Sequence, residues 1–267
     1  MPKNVLDKVW AYFDAAGPLT GAQWPIEYRW EEQRRLDLLR AMGVRAFPSL
    51  VYPHRPAMAG WLNAWAADFA ASQPDVVHTA TFFPEPSAPA DVRNALVAGA
   101  RLFKSHVQVG AYDPRDPLLD EVWGQLADAG VPVVVHCGGG PVPGPFTGPA
   151  IFAEVLARHP RLTAVIAHMG MPEYAEFLAL ARSHPPDVAA EMILEVADAD
   201  GGHVPNVATS GYKGKRTSCG SQSSGDVTAW PRVRQHSPVE RLVGFGVVGA
   251  SFVRFVPSWR TAAGTQQ

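Results

Sequence analysis

Two histidines stand at the ends of very apolar stretches of the sequence. His136 follows the valines at 133–135 and His168 follows residues 164–167, and a glycine comes two residues after each, where the backbone can turn sharply. A single histidine in such a position is more often a hydrogen-bonded core residue, but two at the ends of successive strands favour a site. Imidazoles that converge at the mouth of a barrel suit Zn²⁺ or a similar divalent ion. A bound ion lowers the pKa of its water to about 7, so the pattern predicts a hydroxide nucleophile at neutral pH.

A third apolar stretch, residues 102–109, carries a row of polar residues. Because side chains alternate along a strand, Lys104, His106 and Gln108 are predicted to share one face. A strand covered by helices on both faces has no solvent face, so this row needs a polar cavity, as at the mouth of a barrel. We expect Lys104 to pair with a substrate carboxylate and His106 to relay protons.

Three further residues lie at or just beyond the ends of predicted strands. His54 and Glu85 are candidate substrate-binding residues, with a structural role for His54 and a surface position for Glu85 as the alternatives. Cys137 is interpreted as a small buried thiol rather than a nucleophile. The glycines at 138–140 lack the spacing of a dinucleotide fingerprint or a P-loop, and we interpret them as room for a substrate.

Alternating helical and strand patterns would position these residues. Apolar residues at helical spacing predict helices around 62–69, 119–126, 152–156 and 174–178, with Gly130 as a left-handed cap of the second. Short apolar runs predict buried parallel strands at 44–51, 76–83, 102–109, 131–137 and 162–168, with a sixth near 188–196. This rhythm is typical of a TIM-like (β/α) barrel or of an open doubly wound sheet, and periodicity does not separate the two.

The pattern changes near residue 200. Residues 201–237 are rich in Ser, Gly, Lys, Arg and Thr without a sustained apolar period, and 217–225 is predicted as a flexible loop or disordered segment. The apolar run 242–256 predicts one more strand. We therefore predict an α/β barrel over residues 1–200, incomplete, followed by a divergent or poorly ordered segment over 201–267.

The composition excludes several classes of protein. The chain has 267 residues, the usual size of one barrel, and its net charge of −2 gives no basic surface for nucleic acid or an anionic membrane. Its apolar runs are too short to span a bilayer, no signal-peptide pattern is present, and two cysteines make no disulfide framework. We expect a small-molecule substrate, no nucleic-acid or membrane partner and a possible homo-oligomer. A cytoplasmic location is expected by default.

The sequence resembles the amidohydrolase-related family in three segments, which are residues 103–110, 133–138 and 166–174. The resemblance covers roughly residues 3–185 and implies a distorted TIM barrel. Members are metal-dependent hydrolases, lactonases and some non-oxidative decarboxylases. By this resemblance His136 is a metal ligand, His168 contacts metal or substrate, and Lys104 and His106 are second-site or substrate-binding groups. The implied cofactor is one divalent ion, Zn²⁺ or else Mn²⁺.

The sequence departs from the family pattern at both ends. The family opens with His-x-His at the end of its first strand, whereas here no histidine precedes His54. The family also has an aspartate on its last strand, but residues 241–247 contain none and Asp226 lies in a Ser/Gly-rich stretch. We hypothesise that the start is assigned too late and that the sequence from about 187 onward is divergent or frame-shifted. The hypothesis would be refuted if the upstream DNA contained no in-frame His-x-His and the other downstream reading frames contained no Ser-Asp.

Three functions remain open at this point. The first is a metal-dependent hydrolase that directs activated water at a carbonyl carbon of a small carboxylated or cyclic substrate, such as a lactone or amide. The second is a decarboxylase that uses the same metal to bind a substrate carboxylate. The third is a catalytically inactive or truncated barrel, because a four-coordinate site that lacks three ligands should bind metal poorly.

Overall fold

The computed structural model describes residues 1–15 and 26–184, together with the backbone of strands at 191–197, 203–209, 245–247 and 252–254. Its helices are α1 (Lys3–Ala15), α2 (Glu32–Ala41), α3 (Ala59–Ser72), α4 (Ala88–Val97), α5 (Val107–Gly110), α6 (Pro117–Ala129), α7 (Pro149–Arg158) and α8 (Tyr174–Ser183), with a 3₁₀ turn at His168–Gly170. Its strands are β1 (Phe47–Pro48), β2 (Val76–Val77), β3 (Thr79–Thr81), β4 (Leu102–His106), β5 (Val133–His136), β6 (Ala164–Ile166), β7 (Glu191–Ala197), β8 (His203–Thr209), β9 (Phe245–Val247) and β10 (Phe252–Arg254).

Four parallel strands form the central sheet, in the order β3-β4-β5-β6. Strands β1 and β2 form a separate parallel pair, with Phe47 opposite Val76. Helices connect the parallel strands, as parallel pairing requires. The predicted α/β architecture is therefore confirmed, and the described parallel strands form open sheets, as expected of an incomplete barrel.

The residues at the two ends of helix α6 explain where this helix begins and ends. The Asp116 side chain accepts a hydrogen bond from the Leu118 N–H at 2.9 Å, and Pro117 occupies the first turn. Gly130 ends the helix with φ 61°, so the predicted left-handed cap is confirmed. None of the helices described is long and apolar enough to cross a membrane.

The main core lies between the central sheet and helices α4, α6 and α7. Trp123 is fully buried at its centre, and its ring meets those of Phe82 and Phe152 edge to face, with centroids 5.0 and 6.3 Å away. The Trp123 Nε1–H donates to the Pro114 carbonyl at 2.9 Å, which satisfies the one polar atom of that side chain. Burial of each such ring contributes about 2–3 kcal/mol, so the strands below the candidate site are firmly held.

The observed strands are shorter than predicted, and one prediction of face is wrong. Strand β4 ends at His106, and helix α5 follows at once, so Gln108 does not continue the row of Lys104 and His106. The reason is local: His106 caps α5 by accepting a hydrogen bond from the Val109 N–H at 3.3 Å. Helical backbone then replaces the alternation of a strand.

Two predictions for the C-terminal part also differ from the structure. The sixth strand is present as β7, but it pairs antiparallel with β8, which lies in the stretch predicted to have no regular pattern. A hairpin partner makes strand formation favourable even where the sequence pattern is weak. The one strand predicted at 242–256 is replaced by the short antiparallel strands β9 and β10. Residues 217–225 and Asp226 lie outside the described residues.

Candidate active site

The carboxyl ends of β4, β5 and β6 bring three histidines together. The parallel register places His106 directly opposite His136, and His168 follows the end of β6. Lys104 lies two residues before His106, on the same face of β4. The structure thus gathers four predicted site residues at the sheet end where parallel folds build active sites.

The aromatic rings at this end form a continuous row. The His106 and His136 rings are stacked, with centroids 4.0 Å apart and planes 12° apart. The His168 ring meets that of His136 at 5.1 Å and 66°. On the other side, the half-buried Tyr52 ring lies 4.5 Å from that of His106. Sequence reasoning missed Tyr52, although its place at the end of an apolar run was a usable signal.

Burial sets the electrostatics of this row. Lys104 is 5% exposed, and burial lowers its pKa from 10.5 to about 7 against the smaller opposing influence of Cys137. Burial also lowers the pKa of His136 to about 3 and that of His168 to about 4, and the charge of Lys104 adds to both effects. Burial is also the main reason why the pKa of His106 lies well below its usual 6.5. All three imidazoles are therefore neutral at pH 7.

Hydrogen bonds assign the position of the ring proton in two of the histidines. The His136 Nε2 lies 3.2 Å from the Gly140 carbonyl, which can only accept, so Nε2 carries the proton and Nδ1 keeps a lone pair. His106 has the opposite arrangement, because its Nδ1 accepts from the Val109 N–H and its proton is then on Nε2. The row can thus both donate and accept a proton.

His168 is presented by an unusual turn. His168, Met169 and Gly170 have φ values of 53°, 55° and 72°, all in the left-handed region. Left-handed backbone costs a non-glycine residue about 1–2 kcal/mol, so two such residues in succession store strain beside the site. At Gly170 a side chain could not fit, because its Cβ would clash with the Phe177 ring.

The two predicted substrate-binding residues lie on neighbouring loops. Glu85 accepts a hydrogen bond from the Ala57 N–H at 2.8 Å and so holds the turn in which the exposed His54 lies. Their role in binding a substrate stays a prediction. Cys137 is 1% exposed, and burial raises the pKa of its thiol, as expected of a structural cysteine.

The histidine row does not by itself meet the coordination requirements of a metal ion. Structural and catalytic zinc sites use three or four protein ligands that converge on one point. Parallel stacking of the His106 and His136 rings directs their nitrogens side by side rather than towards a common centre. In the part of the chain that the structure describes, no group of three or more His, Cys, Asp and Glu side chains could hold a metal ion. These residues alone do not fit the implied ion.

The family is settled by comparison with known sequences. A family profile described as amidohydrolase matches residues 8–208, about three quarters of the chain. The chain belongs to the amidohydrolase family. The resemblance in the strand-end segments is thereby confirmed at the level of the family. No curated protein matches this amidohydrolase.

Solved structures give distant likenesses. An uncharacterised TIM-barrel protein from Bordetella bronchiseptica is 26% identical, with 46% of each chain covered and a TM-score of 0.39. The 5-carboxyvanillate decarboxylase LigW from Sphingomonas paucimobilis is 16% identical, with 64% of this chain and 65% of that chain covered and a TM-score of 0.43. A probable 2-pyrone-4,6-dicarboxylic acid hydrolase from Acinetobacter baumannii is 15% identical, with 63% of each covered and a TM-score of 0.42. The chain thus spans 46–65% of the length of these proteins.

Proposed function

We propose that this amidohydrolase is a hydrolase of small carboxylated substrates with a lactone-like or amide-like bond. The observation that carries the proposal is the buried amine of Lys104, which lies beside three neutral imidazoles and has no carboxylate partner among the described residues. Among the described residues, no carboxylate influences the pKa of Lys104, and burial dominates it. An anionic ligand is the partner that such a group lacks.

The surrounding polar groups support this interpretation by contrast. Other buried polar side chains near the sheet are satisfied: Ser49 bonds Thr79 at 3.0 Å, and Ser105 bonds Tyr112 at 2.7 Å. Lys104 is also buried, but among the described residues no carboxylate contributes to its pKa. Burial disfavours the charged form of the Lys104 amine, and a substrate carboxylate beside it would stabilise that form.

Each residue of the row takes a role in this proposal. Lys104 pairs with the substrate carboxylate and fixes the orientation of the substrate. His106 donates its Nε2 proton to a developing oxyanion, and His168 orients the same oxygen. The free Nδ1 of His136 is the acceptor available for a proton from attacking water.

One divalent ion, Zn²⁺ or else Mn²⁺, is a further part of the proposal. His136 and His168 are its candidate ligands, and the ion would supply Lewis-acid chemistry. Because the described residues do not complete its coordination, the roles given above to Lys104, His106 and His168 do not depend on it.

Two alternatives stay open for the same site. A decarboxylase would use Lys104 to bind the carboxylate that is lost. An inactive barrel would bind carboxylates without turnover, and the absence of a metal-holding group among the described residues favours this alternative.

The test compares a lactone that bears a carboxylate with its methyl ester. Isothermal titration and mass spectrometry of products are run on wild type, Lys104→Met and the control Lys8→Met, whose lysine is exposed. We expect wild type and control to bind the acid at least tenfold more tightly than the ester, and Lys104→Met to lose that preference. A product that has gained water indicates hydrolysis, one that has lost CO₂ indicates decarboxylation, and binding without product indicates the inactive barrel. Equal binding of acid and ester by wild type would refute the proposal.

A further inference from the structure

We propose that Glu173 is a positioning residue for His136 and acts through the glycine turn at 138–140. Its carboxylate holds this turn, and the turn in return fixes the His136 imidazole with its proton on Nε2. The inference rests on the proposed function only in treating His136 as a residue of the site. Sequence reasoning assigned no role to Glu173.

A short chain of hydrogen bonds connects the two residues. The Glu173 Oε2 accepts from the Gly139 N–H at 2.9 Å. In the next residue, the Gly140 N–H donates to the Met171 carbonyl at 2.7 Å. The Gly140 carbonyl then accepts from the His136 Nε2–H at 3.2 Å. The backbone that selects the His136 proton position is therefore held by the segment that contains Glu173.

Close packing makes this connection stiff. A Cβ at Gly139 would lie 2.6 Å from the Glu173 Oε1, so the carboxylate rests directly on the glycine backbone. A Cβ at Gly138 would lie 2.5 Å from the carbonyl carbon of Gly170, so the two loops also meet backbone to backbone. With so little free space, a displaced carboxylate must displace the turn.

The position of Glu173 in the fold argues against a purely local role. Glu173 is the residue immediately before α8, where a side chain commonly caps the first turn of the helix. Here its side chain makes no cap hydrogen bond to α8. The carboxylate is used instead on the Gly139 N–H, 34 residues earlier in the chain.

The consequence for His136 is a defined donor and acceptor. While the Gly140 carbonyl is fixed, the Nε2–H form is favoured and Nδ1 is left as the acceptor. If the turn loosens, this hydrogen bond weakens and the Nδ1–H form becomes populated, which removes the acceptor that the proposed function uses. A hydrogen bond of this kind favours one form by about tenfold.

The test is long-range ¹H–¹⁵N correlation of the histidine rings in the purified full chain, which distinguishes the two ring forms. His136 is assigned by its loss in His136→Ala. Glu173→Ala removes the acceptor, Glu173→Gln keeps an oxygen in its place, and Glu176→Ala is the control on the exposed side of α8. We expect the ratio of Nε2–H to Nδ1–H at His136 to fall about tenfold in Glu173→Ala and to be unchanged in Glu173→Gln and Glu176→Ala.

A folded Glu173→Ala protein with wild-type His136 signals would overturn the inference, as would Glu173→Gln if it changed His136 as much as Glu173→Ala. Gly139→Ala displaces the carboxylate without removing it and should reproduce the Glu173→Ala spectrum. Gly139→Ala takes the place of Glu173→Ala in this test if Glu173→Ala does not fold. Wild-type His136 signals in Gly139→Ala would equally refute the inference. Because no substrate is needed, the result is independent of whether the chain proves to be a hydrolase.

Discussion

Replacing Lys104 with methionine should change how the stability of the fold depends on pH. Burial lowers the pKa of Lys104 from 10.5 in an exposed lysine to about 7 in the folded chain. Between these two values the unfolded chain binds a proton that the folded chain has released. The free energy of unfolding must therefore rise with pH over this window, and at lower pH the folded state carries the buried charge.

The magnitude follows from the two pKa values. Their full difference corresponds to about 5 kcal/mol, at about 1.4 kcal/mol for each pH unit. The slope is half of its maximum at pH 7 and nearly full above pH 8, so the expected gain between pH 7 and pH 9 is about 2 kcal/mol. Methionine has a similar length and no charge, so Lys104→Met should lack this gain and should be more stable than wild type at pH 7.

Urea denaturation at pH 7, 8 and 9 measures this difference. The Cys137 thiol and the terminal amine also have shifted pKa values, but their contributions largely cancel when wild type and variant are compared at each pH. Lys8→Met is the matched control, because Lys8 is exposed and its removal should leave the pH dependence of wild type intact. Parallel curves for wild type and Lys104→Met would show that Lys104 is not buried as an unpaired amine, and the proposed carboxylate site would lose its main support.

Three further outcomes are expected. Because the described residues do not complete the coordination of the proposed ion, mass spectrometry should find about one Zn or Mn per wild-type chain only where further ligands complete the site, and none in the His136→Ala, His168→Ala double variant. Asp75→Asn should destabilise the fold by about 1 kcal/mol, because Asp75 accepts hydrogen bonds of 2.7 and 2.8 Å from the partly exposed Arg40. These bonds are the main cause that lowers the pKa of Asp75, so the loss should persist above about pH 4 and vanish at more acidic pH. Urea titrations over this pH range measure the loss. Gly170→Ala should lower stability by at least about 2 kcal/mol in thermal denaturation, because the φ of Gly170 is 72° and an added Cβ would clash with the Phe177 ring.

Each of these has a result that contradicts it. Equal metal in wild type and the double variant would place any ion away from the histidine row. A pH-independent loss in Asp75→Asn would mean that lost packing, not the charged pair, causes the effect. Gly124→Ala is the control for Gly170→Ala: it lies in α6 with nothing within 4 Å of its Cβ and should be neutral or stabilising, so similar losses in both would refute the steric argument.

The parts of the fold that sequence predicted are those where one local rule dominates. Buried parallel strands are rich in apolar residues, so β4, β5 and β6 were predicted at the right places, although longer than observed, and the strand-end histidines came with them. Gly130 was predictable because a helix cap needs a left-handed residue. Helix α5 was not, since it depends on one side-chain cap by His106 that no periodicity reveals. Tyr52 and Glu173 were missed because each contacts a residue distant in sequence, His106 and Gly139 respectively.

The charge of Lys104 affects a divalent cation and a carboxylate ligand in opposite ways. A divalent cation alone meets repulsion from Lys104, whose charge already lowers the pKa of His136 and His168. A carboxylate meets attraction from the same ammonium and can accept the His106 proton. A ligand that carries a carboxylate is thus the species that this row favours first, and a carboxylate beside Lys104 would in turn lessen the repulsion against a cation at His136 and His168. Metal content is therefore best compared with and without a carboxylate ligand present.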